Sequence, residues 1–202
     1  SKKPKLVIMV DCGSTSYEAV DYLNSNNIKS IIIDHHEINR PYPKSDVIIN
    51  PKKNTDYSQY NYLCATALTY LFIDTVVQKT KSKFKLADFL IYVLLATVCD
   101  AMPLRKFNKI LASNVIRNFE IKNNLAFKTI FEQLGLKKKL TVNDLGFLIG
   151  PIINSGGRLG FSSFGTELLT SNNTITLQKK TTELINLNNK RKNLEKNILN
   201  EI

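Results

Sequence analysis

Long apolar runs are missing from this chain of 202 residues. No stretch of about 18 consecutive apolar residues occurs, so no segment has the makings of a membrane-spanning helix. Cysteine is scarce. Cys12, Cys64 and Cys99 are odd in number and set among apolar neighbours. That pattern excludes a disulfide framework and suits reduced thiols in a cytoplasmic protein. The basic opening, Ser1 to Lys5, is followed by only five apolar residues before Asp11, too few for a secretory signal. Histidine occurs twice, at His35 and His36, and the two are adjacent.

What is present suits a folded domain. Hydrophobic residues make up 43% of the chain, an ordinary value for a globular protein. The net charge is +11 with a pI near 9.5, which favours a polyanionic partner such as nucleic acid. Lys, Asn and Ile are abundant throughout, so a compositional bias contributes to that charge as well.

The two histidines close the run Ile31-Ile32-Ile33-Asp34-His35-His36. A β-branched strand ending in an acid and two imidazoles offers metal or phosphate ligands at the carboxyl end of a sheet strand, where open α/β sheets bind. Upstream, Lys5 to Val10 reads as a strand ending in Asp11-Cys12-Gly13-Ser14, with Gly13 permitting a sharp exit. Ser14, Thr15 or Ser16 can cap a helix over Tyr17–Asn26 whose inner face carries Ala19, Val20 and Leu23. The first 36 residues therefore predict a β-α-β unit with parallel strands. Parallel neighbours end side by side, so Asp11 and His35-His36 should meet, although 24 positions separate Asp11 from His35.

Asp46 to Pro51 reads as a short third strand. Tyr57, Tyr60 and Tyr62 interleave a polar stretch and read as packing residues more than as base-stacking ones. Leu63–Val77 and Leu86–Val98 read as helices, the second leading to Asp100. An acid at the end of a buried segment needs a cation, a metal or a helix amino terminus. Phe107–Phe119 and Leu125–Leu134 read as further helices, and Thr141–Leu148 as a short amphipathic one. Four of the eight glycines fall between Gly150 and Gly160, read as a loop whose amides, with Arg158, could cradle phosphate. From Thr174 onward the chain reads as one long, sparsely apolar helix, a connector between domains or one lacking its partner.

Taken in order, VDCG (Val10–Gly13), DHH (Asp34–His36), INP (Ile49–Pro51), TVCDAMPL (Thr97–Leu104), GPIINSGGRLG (Gly150–Gly160) and Asn188-Asn189-Lys190-Arg191-Lys192 resemble the Asp-His-His phosphoesterase superfamily. Within it they resemble the RecJ-type single-strand-specific exonucleases. The resemblance implies an α/β fold, a parallel sheet flanked by helices, and two-metal phosphodiester hydrolysis with Mn2+ or Mg2+. It implies that Asp11 bridges the metals, that His35 and Asp100 complete the second metal's shell, and that His36 lies nearer the scissile phosphate. Asp34 would orient the histidines. Arg158 and Asn154, with the amides of Gly156 and Gly157, would hold substrate. The implied substrate is single-stranded DNA, digested from its 5′ end in repair and recombination, with repair or replication proteins as partners. The implied layout is a partial phosphoesterase core over 1–135, the Gly-Gly-Arg region over 136–173 and a connector helix over 174–202. Two departures stand out: no Asp-x-Asp motif precedes Asp11, and Ile152 occupies a position where the family carries Arg. The expectation is a fragment lacking its first motif and its carboxy-terminal domain, with little activity alone. Two other readings remain: a phosphodiesterase of short oligonucleotides or cyclic dinucleotides, and a non-catalytic nucleic-acid-binding or replisome scaffold.

Overall fold

In the computed structural model, residues 4–53 and 59–201 are described. Tyr57 lies outside them. The chain divides into two compact units, residues 1–112 and 113–202.

The first unit is built on a three-stranded parallel sheet in the order β1-β2-β3. Its strands are β1 (Leu6–Val10), β2 (Lys29–Ile33) and β3 (Val47–Ile49). Helix α1 (Tyr17–Ser25) forms the crossover between β1 and β2. The expected apolar face is narrower than read: Val20 is buried, Leu23 is half-buried and Ala19 is exposed. β2, paired on both sides, holds the core through Ile32 and Ile33. β1 is an edge strand, and Leu6, Ile8 and Val10 on it stay 42–47% exposed.

Helix α2 (Ala65–Thr80) packs on the sheet through the buried small residues Ala65 and Ala67, with Leu68 beside them. The second apolar segment is a 3₁₀ turn, Leu86–Phe89, followed by α3 (Leu90–Cys99). α3 is buried against α2, and Cys64 Sγ meets Thr97 Oγ1 at 3.5 Å. Of the tyrosines expected to pack, Tyr62 is buried and Tyr60 is 44% exposed. α4 (Lys106–Asn118) follows.

The second unit is all helical among its described residues. α5 (Leu125–Gln133), α6 (Val142–Asp144), α7 (Gly150–Arg158) and α8 (Ser163–Thr170) precede α9 (Thr174–Glu201). α8 has no counterpart in the sequence reading. α6 opens with a capping box between Thr141 and Asp144, then runs through a π-helical stretch, Leu145–Ile149, into α7. The 28-residue α9 matches the long helix read from sequence. Its buried stripe is Leu177, Thr181, Leu184 and Asn188, so half of its inner face is polar and escapes a search for apolar spacing.

The glycine-rich segment corrects the sequence reading. It is a helix, not a loop. Pro151 is the second residue of α7, directly after the π-helical stretch. A Cβ on Gly156 would lie 2.7 Å from the carbonyl oxygen of Phe161 and 3.1 Å from Leu184 Cδ2. Glycine is there to let α7 approach its neighbours. Ile152 is only 2% exposed, so this position faces the core of the unit.

Candidate metal centre

The site follows from strand register. Val10, Ile33 and Ile49 are level across the sheet, so the residues just past them, Asp11, Asp34 and Asn50, form a row at its carboxyl edge. The ladder continues one step into that row: the Asp11 amide donates to Ile33 O at 2.9 Å and the Asp34 amide to Ile49 O at 3.0 Å. Asp11 takes a left-handed backbone, φ 62°, uncommon for a residue with a Cβ and found mostly where function holds it. Gly13 follows at φ 110°, where a Cβ would press on Ile32 at 3.0 Å.

Asp11, His35 and His36 each bring a ligand atom within 4.8 Å of the others. His35 Nε2 lies 3.3 Å from Asp11 Oδ1 and 3.9 Å from Asp100 Oδ2. The convergence expected from the β-α-β unit is therefore present, and α3 delivers Asp100 to the same place. Asp100 follows the last residue of α3, and Ala101, at φ 51°, turns the chain away with its amide on Val98 O and that of Met102 on Thr97 O. Asp100 is neither a helix amino-terminal cap nor deeply buried. Its side chain is 36% exposed and faces His35.

Asp34 plays a different part. It is 1% exposed and accepts from the amides of Ser14, His35 and His36. It also holds His36 Nδ1 at 2.7 Å. Burial works to raise its carboxyl, but the hydrogen bonds from Ser14 and His36 outweigh it and hold the group well below the usual carboxylate range. The same bond raises the His36 imidazole above its ordinary value, burial opposing and the charges of Asp34, Asp11 and Asp100 assisting. With Nδ1 taken, Nε2 is the atom that His36 offers outward. The two imidazoles stand edge to face, centroids 4.7 Å apart.

Ser14 and Asn50 are residues that sequence reading missed. The Asn50 amide donates to Ser14 Oγ at 2.8 Å and to His36 O at 2.9 Å, while its Oδ1 accepts from the Lys52 amide. Asn50 is 5% exposed and ties the ends of all three strands together. The signal that could have found it is the register itself: each strand ends on a polar residue at the same level.

The donor set suits a divalent cation, with carboxylate oxygen and imidazole nitrogen from four side chains. Burial and the facing charge of Asp11 push the Asp100 carboxyl above its ordinary range, the histidines pulling the other way. Two acids that both approach His35 Nε2 are relieved by a cation bound among them. Asn154, Gly156, Gly157 and Arg158 belong to α7 in the second unit. Asn154, Gly157 and Arg158 are exposed there, and Gly156 is buried.

A parallel sheet carrying Asp-His-His at its carboxyl edge defines the class. Residues 2–97 match the DHH family, N-terminal domain. Similarity to curated relatives runs almost end to end. The chain is 28% identical over 204 aligned residues to the single-stranded-DNA-specific exonuclease RecJ of Haemophilus influenzae, covering 96% of this chain and 36% of that protein. It is 30% identical to RecJ of Escherichia coli, covering 95% and 35%. The chain thus spans about a third of the length of these relatives. Among solved structures, RecJ of Thermus thermophilus in complex with Mn2+ superposes with a TM-score of 0.86 at 22% identity, covering 98% of this chain and 30% of that one. Another exonuclease RecJ, bound to manganese, gives the same TM-score and identity over 50% of its chain. These likenesses establish the fold. No described helix is long and apolar enough to cross a membrane.

Proposed function

We propose that this chain is the metal-binding part of a single-strand-specific DNA exonuclease that works from the 5′ end in repair and recombination. The observation that carries the proposal is the meeting of Asp11, His35 and His36 within 4.8 Å, with Asp100 3.9 Å from His35. Asp11, His35 and Asp100 would hold a divalent cation, Mn2+ or Mg2+. When bound, such a cation supplies charge stabilisation and an activated water for phosphodiester hydrolysis. His36 presents Nε2 towards the phosphate, fixed in orientation by Asp34. Asp34 stays ionised and keeps both histidine amides in place. Asn154 and Arg158 stand exposed on α7 as phosphate-binding side chains, whereas the amides of Gly156 and Gly157 are taken up within that helix.

The donors in this cluster suffice for one ion and not for two, so we expect the 202-residue chain to have little nuclease activity by itself. The test is His35→Ala in the complete polypeptide. Calorimetric Mn2+ affinity should fall by about tenfold or more, and release of nucleotides from a 5′-labelled single strand should be lost. Unchanged affinity and unchanged digestion would remove His35 from the site.

A further inference from the structure

The turn joining α2 to α3 is absorbed neither by the metal centre nor by the core. It reads Lys79-Thr80-Lys81-Ser82-Lys83-Phe84-Lys85 and continues to Phe89. Four lysines stand against one acid, Asp88. All four are exposed, and none takes part in an ion pair among the described residues. Phe84 and Phe89, 52% and 42% exposed, stack on one another with centroids 5.5 Å apart and planes 28° from parallel. Tyr92 continues the row, 6.2 Å from Phe89. Apolar rings left in water beside uncompensated cations ask for a ligand that has both flat faces and negative charge.

The backbone beneath is fixed. Lys81 is left-handed at φ 52°, its amide on Gln78 O and that of Ser82 on Val77 O, which closes α2. Phe84 is held by its amide on Ser82 Oγ and its carbonyl on the Leu86 amide, and Leu86 is buried. The platform therefore needs little ordering to bind. It also stands apart from the metal centre: α3 runs its full length between them, about 15 Å at the ordinary helical rise.

We propose that this turn is a second contact for single-stranded nucleic acid, with bases stacking on Phe84 and Phe89 and phosphates held by Lys79, Lys81, Lys83 and Lys85. Stacking on exposed aromatics flanked by cations is how sequence-tolerant single-strand binders work. The inference rests on the proposed function only in taking nucleic acid as the partner. It does not depend on hydrolysis. A distal hold would keep the strand on the protein between cleavage events.

The test is binding of a fluorescein-labelled oligothymidylate to this chain in EDTA, which removes the cation and with it any hydrolysis. Phe84→Ala/Phe89→Ala should weaken binding by about tenfold or more, with the salt dependence kept. Lys81→Gln/Lys83→Gln/Lys85→Gln should weaken binding and flatten the plot of log affinity against log salt by about 2. Both variants should keep the wild-type Mn2+ affinity, so a failure here is separate from a failure at His35. Wild-type affinity in both variants overturns the proposal. So does equal loss for a duplex of the same length, which has no free base faces, or displacement of the strand by polyglutamate at matched charge, which would make the site one for acidic peptides.

Discussion

Asn50 touches no predicted ligand atom, yet it sets where His36 stands. Its amide is the partner of the His36 carbonyl and of Ser14 Oγ, and Ser14 in turn donates its amide to Asp34. Asn50→Ala leaves the buried Ser14 Oγ and the part-buried His36 O short of a donor, a cost of about 1–3 kcal/mol. The expected outcome is Mn2+ affinity lowered by about tenfold in calorimetry. Ser14→Ala, which removes only a hydroxyl from the same chain of bonds, should do less. Asp144 gives a pH test. Burial favours raising its carboxyl, but Lys138 and Thr141 prevail and lower it. A carboxyl depressed on folding stabilises above its unfolded value, about pH 4, and that contribution is lost as pH falls through the lower folded value. Asp144→Asn should therefore cost about 1 kcal/mol near neutrality, as lost caps do. In urea melts the gap from wild type should close as the pH drops below about 4. Asp11 and His35 were legible from spacing because parallel strands end level. Asn50 reads only as part of the third strand and of the INP motif; its bonds to Ser14 and His36, residues 36 and 14 positions away, are not marked by any spacing.

Among the elements, α7 shows where local propensity misleads. Gly150, Gly156 and Gly157 each disfavour a helix by about 1 kcal/mol relative to alanine, so the segment reads as a loop. Contacts decide otherwise. Gly156 is pressed against Phe161 and Leu184, and Ser155 Oγ donates to Leu184 O at 3.0 Å. The two adjacent glycines should respond in opposite senses to alanine. Gly156→Ala meets backbone at 2.7 Å and should destabilise by about 1–3 kcal/mol. Gly157→Ala meets nothing within 4 Å and should stabilise by about 0.5–1 kcal/mol. Thermal melts of the two variants make the comparison. The strands and the long helices were legible because their periods are strong. α8 was not, since Ser163–Thr170 is short and mixed in character.

For the molecule as a whole, charge governs encounter. With a net charge of +11, association with an oligonucleotide should weaken by at least about tenfold between roughly 50 and 200 mM salt, measured by anisotropy. Part of the fold class was legible at this scale: one β-α-β unit and a third strand suffice to specify a parallel sheet. The division near residue 112 was not, because it falls inside α4, a single helix with no break in composition to mark it.

Salt that strips nucleic acid from the protein also removes what keeps copies apart. Among the described residues no strand pairs with the outer edge of β1, and Leu6, Ile8 and Val10 on that strand are in reach of water. Such a strand is a template for a like strand from another molecule. At low ionic strength the mutual repulsion of cationic chains keeps that edge idle. As screening grows, this chain should pass from a colloidally stable solute to one that self-associates, seen as rising light scattering with added salt. Ile8→Lys, which sets a charge in the middle of the edge strand, should delay that rise, while a lysine at the 70%-exposed Ile110 on α4 should not.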